Sequence, residues 1–171
     1  ANVKSEPPLP EPWLRGPLAG VHSLVMPVFF SFALVREDLA KHTAGLDREQ
    51  IWRVVGANSI GFQLKHIAGS VDRSTMVLRL QPRTASQMEF LRQDVSGSED
   101  LASLLAVVEQ SLSHSEDRLR QLDPASIYDA RSVGRRALPT TVIGLLVHLA
   151  EHTQRHLGQA VTLSRLARQP G

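Results

Sequence analysis

The chain predicts an all-α fold: a four-helix bundle behind an extended, proline-rich N-terminal arm. Four long segments repeat apolar residues at helical spacing. No stretch alternates apolar and polar residues over the length of a strand. The connections are of middling length, which lets successive helices lie side by side. At 171 residues the chain suits one domain with a sizeable core. The expected division is an arm over 1–17 and a bundle over 18–171.

The arm holds Pro7, Pro8, Pro10, Pro12 and Pro17, and so reads as extended chain without regular structure. Trp13 and Leu14 are the residues expected to pin it to the body. A helical pattern runs from about Gly20 to Lys41, with Leu24, Val28, Phe32, Val35 and Leu39 on one face and a kink or new start at Pro27. Asp47–Val55 reads as a short helical turn. Asn58 or Ser59 caps a second long helix that lasts to about Leu80. Its main stripe is Ile60, Leu64, Ile67, Val71, Thr75 and Leu78. Its opposite face, with Phe62, His66, Gly69, Val77 and Leu80, is also coverable, which places it between neighbours or at a subunit contact.

Residues 81–99 form a polar connection with room for a short helix at about Ala85–Arg92. The third long helix spans about Asp100 to Leu122, with Leu101, Leu104, Leu105, Val108, Leu112 and Leu119 on one side, and Asp123-Pro124 ends it. Pro124–Leu138 reads as a loop. Pro139 and Thr140 then open the fourth helix, which continues to about Arg168.

Composition narrows the chemistry. Apolar residues make up 42% and charged residues 21%, the balance of a soluble globular domain. The net charge of +2, with scattered arginines, gives no clustered basic face, so no nucleic-acid partner is expected. Leu24–Val35, the longest apolar run, is interrupted by Pro27 and Ser31. It falls short of the roughly 20 residues a membrane span needs, and it lacks the basic leader of a signal peptide. There is no cysteine, so disulfides, thiolate metal sites and cysteine nucleophiles are excluded. A metal must be held by nitrogen and oxygen ligands. The same absence fits a reducing compartment, and a cytoplasmic location is expected.

The densest chemistry lies in Leu145–Leu163, where His148, His152 and His156 recur every four residues. On a helix these share one face. His152 and His156 fall within the apolar stripe drawn by Leu138, Val142, Leu145, Leu149, Ala160 and Leu163. Burying two imidazoles is costly unless each nitrogen has a partner, and a divalent ion satisfies both rings. A stable site needs a third ligand, for which His22, His42, His66, His114 and His148 are the remaining histidines. Helical position assigns His114 to solvent and His42 to a helix C-terminus. Spacing alone does not single out His66.

Two stretches carry a family resemblance. Gly56–Arg73, GANSIGFQLKHIAGSVDR, resembles the second helix of the DinB-like family, which includes the YfiT-type proteins: an Asn-Ser start, an apolar run, then His within HIAG. Leu145–Gln159, ending EHTQRHLGQ, resembles that family's last-helix signature of two histidines followed by Gly-Gln. The resemblance covers the chain from about Gly20 onward and leaves out the arm. It implies a four-helix bundle, often a homodimer, in which one histidine of the second helix and two of the fourth bind nickel or zinc. Carried onto this chain, the ligands are His66, His152 and His156. It further implies a metal-dependent enzyme, with a small-molecule substrate and a low-molecular-weight thiol as cosubstrate.

Three imidazoles would leave a coordination position open, as in catalytic zinc sites. Thiol transfer and hydrolysis are therefore the expected reaction classes, and a non-catalytic, stress-associated metal-binding bundle is the alternative. Gln63, Gln159 and Glu109 are the candidates to orient the second nitrogen of each ring. Glu151 is expected to face solvent, away from His152 and His156. Gly61, Gly69, Gly144 and Gly158, inside helices, offer room for close helix approach.

Overall fold

A computed structural model describes residues 7–80 and 97–169. The long helices are α1 (Met26–Thr43), α3 (Ile60–Leu78), α4 (Leu101–Arg120) and α5 (Val142–Leu166). A short helix, α2 (Arg48–Trp52), joins the first pair. The expected helix at Ala85–Arg92 lies outside the described residues. None of the described helices is long and apolar enough to cross a membrane.

Local chemistry sets the helix starts. Pro27 sits in the first turn of α1, where a missing N–H costs nothing, so it opens the helix and does not kink it. Residues 20–25, expected to be helical, are turns and irregular chain instead, and His22 Nδ1 there accepts the Leu24 N–H at 3.2 Å. Asp47 and Gln50 close a reciprocal capping box on α2. Ser59 caps α3 by accepting the Phe62 N–H at 3.1 Å, and Asp100 caps α4 through Ser103 at 2.8 Å.

In the bundle, α5 packs on both α1 and α3, and α3 also packs on α4. The core runs through Phe32, Val35, Leu64, Ile67, Val71, Leu112 and Leu149, all essentially inaccessible. The α1–α4 side has the thinnest contact, and Arg36 bridges it to Glu109 at 2.6 Å and Glu116 at 2.5 Å. Glu109 therefore serves the bundle edge and does not orient a histidine.

Three further expectations need correction. First, Pro124–Leu138 is not a plain loop, and Pro139 and Thr140 do not open a helix. A 3-10 turn (Pro124–Tyr128) leads into an antiparallel hairpin of β1 (Ala130–Val133) and β2 (Leu138–Thr141), with Ser132 opposite Pro139. Thr140 and Thr141 are β-branched and favour extended backbone, and a two-stranded ribbon tolerates the missing Pro139 N–H. Thr141 then caps α5 through the Gly144 N–H at 3.2 Å. Such short strands leave too little alternation to be read from sequence.

Second, Leu138 is half exposed in that hairpin and takes no part in the α5 stripe. The innermost line of α5 is Leu145, Leu149, Thr153, Leu157, Ala160 and Ser164, with the histidines on its shoulder. Thr153 reads as polar, but its hydroxyl donates to Leu149 O at 2.6 Å, so it sits in the core at little cost.

Third, residues 12–14 of the arm form a 3-10 turn. Trp13 and Leu14 stay largely exposed while Pro12 is buried. The tie to the body is ionic: Arg15 donates to both Glu37 oxygens, at 2.6 and 2.8 Å.

Candidate metal centre

His66 faces the bundle seam from α3, opposite His152 and His156 of α5. One ligating atom from each of the three lies within 4.8 Å of the others. The ring centroids are 4.2 Å apart for His66–His156, 4.5 Å for His152–His156 and 5.4 Å for His66–His152. All three rings are half-buried. Spacing of four brings the α5 pair together, but only the packing of α3 on α5 adds His66.

His66 Nε2 and His152 Nε2 are 3.2 Å apart. Two lone pairs cannot face one another at that distance without a shared proton or a cation between them. Metal–nitrogen bonds of about 2.0–2.1 Å in tetrahedral geometry put ligand nitrogens about 3.3 Å apart. The separation fits a common ion without rearrangement. A purely hydrogen-bonded pair of core histidines would satisfy their remaining nitrogens too. His152 Nδ1 is buried and has no partner among the described residues.

The tautomer of His156 follows from its surroundings. Its Nδ1 lies 2.7 Å from Gln63 Oε1, an atom that only accepts, so Nδ1 carries the proton. Gln63 Nε2 in turn donates to Gln159 Oε1 at 2.7 Å, which holds the amide in that orientation. Gln63 is 1% exposed and cannot turn to solvent. His156 Nε2 is thereby left with its lone pair toward His66 and His152. Two of the three orienting candidates named from sequence, Gln63 and Gln159, are therefore joined to the triad.

Protonation is suppressed where ligation needs a lone pair. Burial first, then the neighbouring imidazoles and Arg155, push His152 and His156 down to about 4, against a weak opposing pull from Glu151. Both rings are neutral at physiological pH and available to a metal.

The other histidines divide as follows. His22 and His114 are exposed, and His114 meets Arg118 at 3.3 Å. His42 closes the last turn of α1, its carbonyl bound by Arg168 at 2.8 Å. His148 is exposed one turn before His152, with ring centroids 4.9 Å apart. Glu151 is exposed and paired with Arg155, yet its carboxylate also comes within 4.8 Å of ligating atoms of His148 and His152. It lies nearer His152 than helical position suggested. Among the described residues no fourth histidine or carboxylate joins the His66–His152–His156 group.

A cavity of about 190 Å³ opens onto His66, His148 and His152. It is also lined by Ser70, Arg73, Ser74 and Val77 of α3, Leu145 of α5 and Val133 of the hairpin. None of these wall residues was singled out from sequence as part of the site. Ser70, Arg73, Ser74 and Val77 do follow His66 at helical spacing, a signal that was available.

Of the helix glycines, Gly61 fits the close-approach role, since a methyl there would meet the Trp52 ring at 2.7 Å. Gly158 has open space around it and needs no such explanation.

The family described as the DinB superfamily matches residues 31–160. Among solved structures, a conserved protein from Enterococcus faecalis is similar in fold, with a TM-score of 0.68 at 16% identity, over 86% of this chain and 98% of that one. No curated protein matches.

Proposed function

The chain belongs to the DinB superfamily, and from that premise we propose that it is a metal-dependent enzyme acting on a small molecule. His66, His152 and His156 are the proposed ligands of one divalent ion, nickel or zinc. The observation that carries the reading is their convergence within 4.8 Å, with the His156 tautomer fixed by Gln63.

A divalent ion bound there would supply Lewis acidity, favouring the deprotonated form of a thiol or water. The chain's own residues do the rest. Gln63 and Gln159 hold His156 in its ligating orientation. Burial keeps the α5 rings unprotonated. His148, on the cavity wall beside His152, is positioned to take up the proton that an entering thiol or water releases. With no cysteine in the chain, a thiol nucleophile has to arrive as a cosubstrate. Transfer of that thiol, or hydrolysis by water, is the proposed reaction class.

A non-catalytic metal-binding bundle would be better served by a closed coordination sphere. The triad has no fourth protein ligand among the described residues and adjoins a cavity, which supports the enzyme. A cytoplasmic homodimer is the proposed setting, in line with the family resemblance, and sedimentation tests the assembly.

Elemental analysis of protein purified without a nickel column is the direct test. One divalent ion per chain is expected, lost on His66→Ala, followed by turnover in a screen of small thiols and hydrolysable substrates. Protein that neither retains nor takes up a stoichiometric ion would overturn the reading.

A further inference from the structure

A second set of ligating side chains on α5 overlaps the triad. We propose that His148, Glu151 and His152 form an outer cation site, which captures the ion from solvent and passes it inward to His66 and His156 while His152 keeps hold of it. This goes beyond the proposed function and rests on its reading of the triad as the resident site.

His148, Glu151 and His152 stand at i, i+3 and i+4 in the run HLAEH, so the helix sets them on one face. One ligating atom from each lies within 4.8 Å of the others. The ring centroids of His148 and His152 are 4.9 Å apart. Two imidazoles and a carboxylate suit a divalent ion of the zinc or nickel type. Arg155 holds Glu151 through Oε1, but a carboxylate offers about four lone-pair sites, and its second oxygen is left to ligate. Glu151 and Arg155 are both exposed, so their pairing is worth little and gives way to a divalent charge.

The two ligand sets differ in access. His148 and Glu151 are exposed, whereas His66 and His156 are half-buried. His148 also lines the cavity that opens onto His66 and His152, so the outer site borders the space from which the triad is reached. His152 belongs to both sets. Two divalent ions on one imidazole would repel each other at short range, so the sites fill in turn and not together. Transfer exchanges two ligands for two: bonds to His148 and Glu151 break, bonds to His66 and His156 form, and no proton is gained or lost. Its direction follows from preorganisation. Gln63 already holds His156 in its ligating orientation, whereas the outer ligands have to be drawn from solvent and from Arg155. Once the ion has moved inward, His148 is free for the proton-accepting role.

Stopped-flow uptake of cobalt(II) by metal-free protein tests this, because the ion's visible spectrum reports its ligands. Wild type should show two phases, a first species that gives way to a final one. His148→Gln exchanges the imidazole for an uncharged amide. It should remove the first species and slow loading about tenfold, at the low end of the 10- to 10³-fold by which a charged cleft raises on-rates. Glu151→Gln should do the same. Both variants are at exposed positions, and their equilibrium affinity should change less than their loading rate. His66→Ala should stop at the first species and fill it only at cobalt concentrations well above those that load wild type. Adding Glu151→Gln to His66→Ala should abolish that binding.

Single-phase uptake at one rate in wild type and both exposed variants overturns the inference and leaves the triad standing. Two phases that persist in His148→Gln overturn it as well. So does binding by His66→Ala that survives Glu151→Gln, because the ion then sits elsewhere. Wild-type protein that takes up no cobalt removes the proposed function first and this inference with it.

Discussion

Replacing Gln63 by leucine isolates the role of a residue that touches no metal. Gln63 is 1% exposed and fills its site with a side chain close to leucine in size, so the bundle keeps its packing. The substitution deletes two bonds at once: the acceptor for His156 Nδ1 at 2.7 Å and the donor to Gln159 at 2.7 Å. Losing the partner that orients a ligating imidazole costs about 10- to 100-fold in metal affinity. That factor equals about 1.4–2.8 kcal/mol. The cost of stranding the His156 N–H without an acceptor, about 1–3 kcal/mol, falls in the same range by an independent route. Gln159→Leu removes only the outer bond at an exposed position and should cost less than about fivefold. Competition titrations against a chromophoric zinc chelator read all three proteins directly. A Gln63→Leu affinity within twofold of wild type would refute the assignment. So would a larger loss for Gln159→Leu than for Gln63→Leu.

Zinc at about 100 times its dissociation constant should stabilise the protein by about 2.7 kcal/mol, or roughly 5–10 °C in melting temperature, and His66→Ala should abolish that shift in a calorimetric melt. His152 and His156 stay neutral in the fold to about pH 4, whereas unfolded histidine titrates near 6.5. The unfolded chain thus binds more protons between those values. The stability of metal-free protein should be full above about 6.5, fall as pH drops toward 4 and level off below, as urea midpoints would read. Proton NMR of the same sample should show two of the seven histidines titrating near 4, and titration of all seven between 6 and 7 would contradict the buried-pair geometry. Gly61→Ala drives a methyl into the Trp52 ring at 2.7 Å and should cost about 1–3 kcal/mol in chemical denaturation, with zinc affinity little changed.

The site was legible unevenly, and for different reasons at each residue. His152 and His156 stand one helical turn apart, so their shared face is a property of α5 alone. His66 has no such local partner. Its place came from resemblance in HIAG, and the packing of α3 against α5 brings it to the pair. Gln63 and Gln159 were named among three candidates, and only the cross-helix bond between them separates these two from Glu109. Arg73 shares a helix face with His66, seven residues on, but helical spacing does not say that this face borders a cavity; the hairpin and α5 supply the other walls.

Helix periodicity and capping depend on residues a few positions apart, so the chain by itself determined the four long helices, the caps at Ser59 and Asp100, and the run of histidines on α5. Thr153 lies on the core line with the histidines on its shoulder, and its burial costs little because its hydroxyl returns to the backbone, which hydropathy does not record. The hairpin and the cavity it walls were decided by tertiary structure, because strands as short as Ala130–Val133 and Leu138–Thr141 hold their form by pairing and by contact with α3. Whether three imidazoles can share one ion is likewise a matter of ångströms between helices. Sequence spacing fixes distances along a helix, and the packing of side chains fixes distances across the bundle.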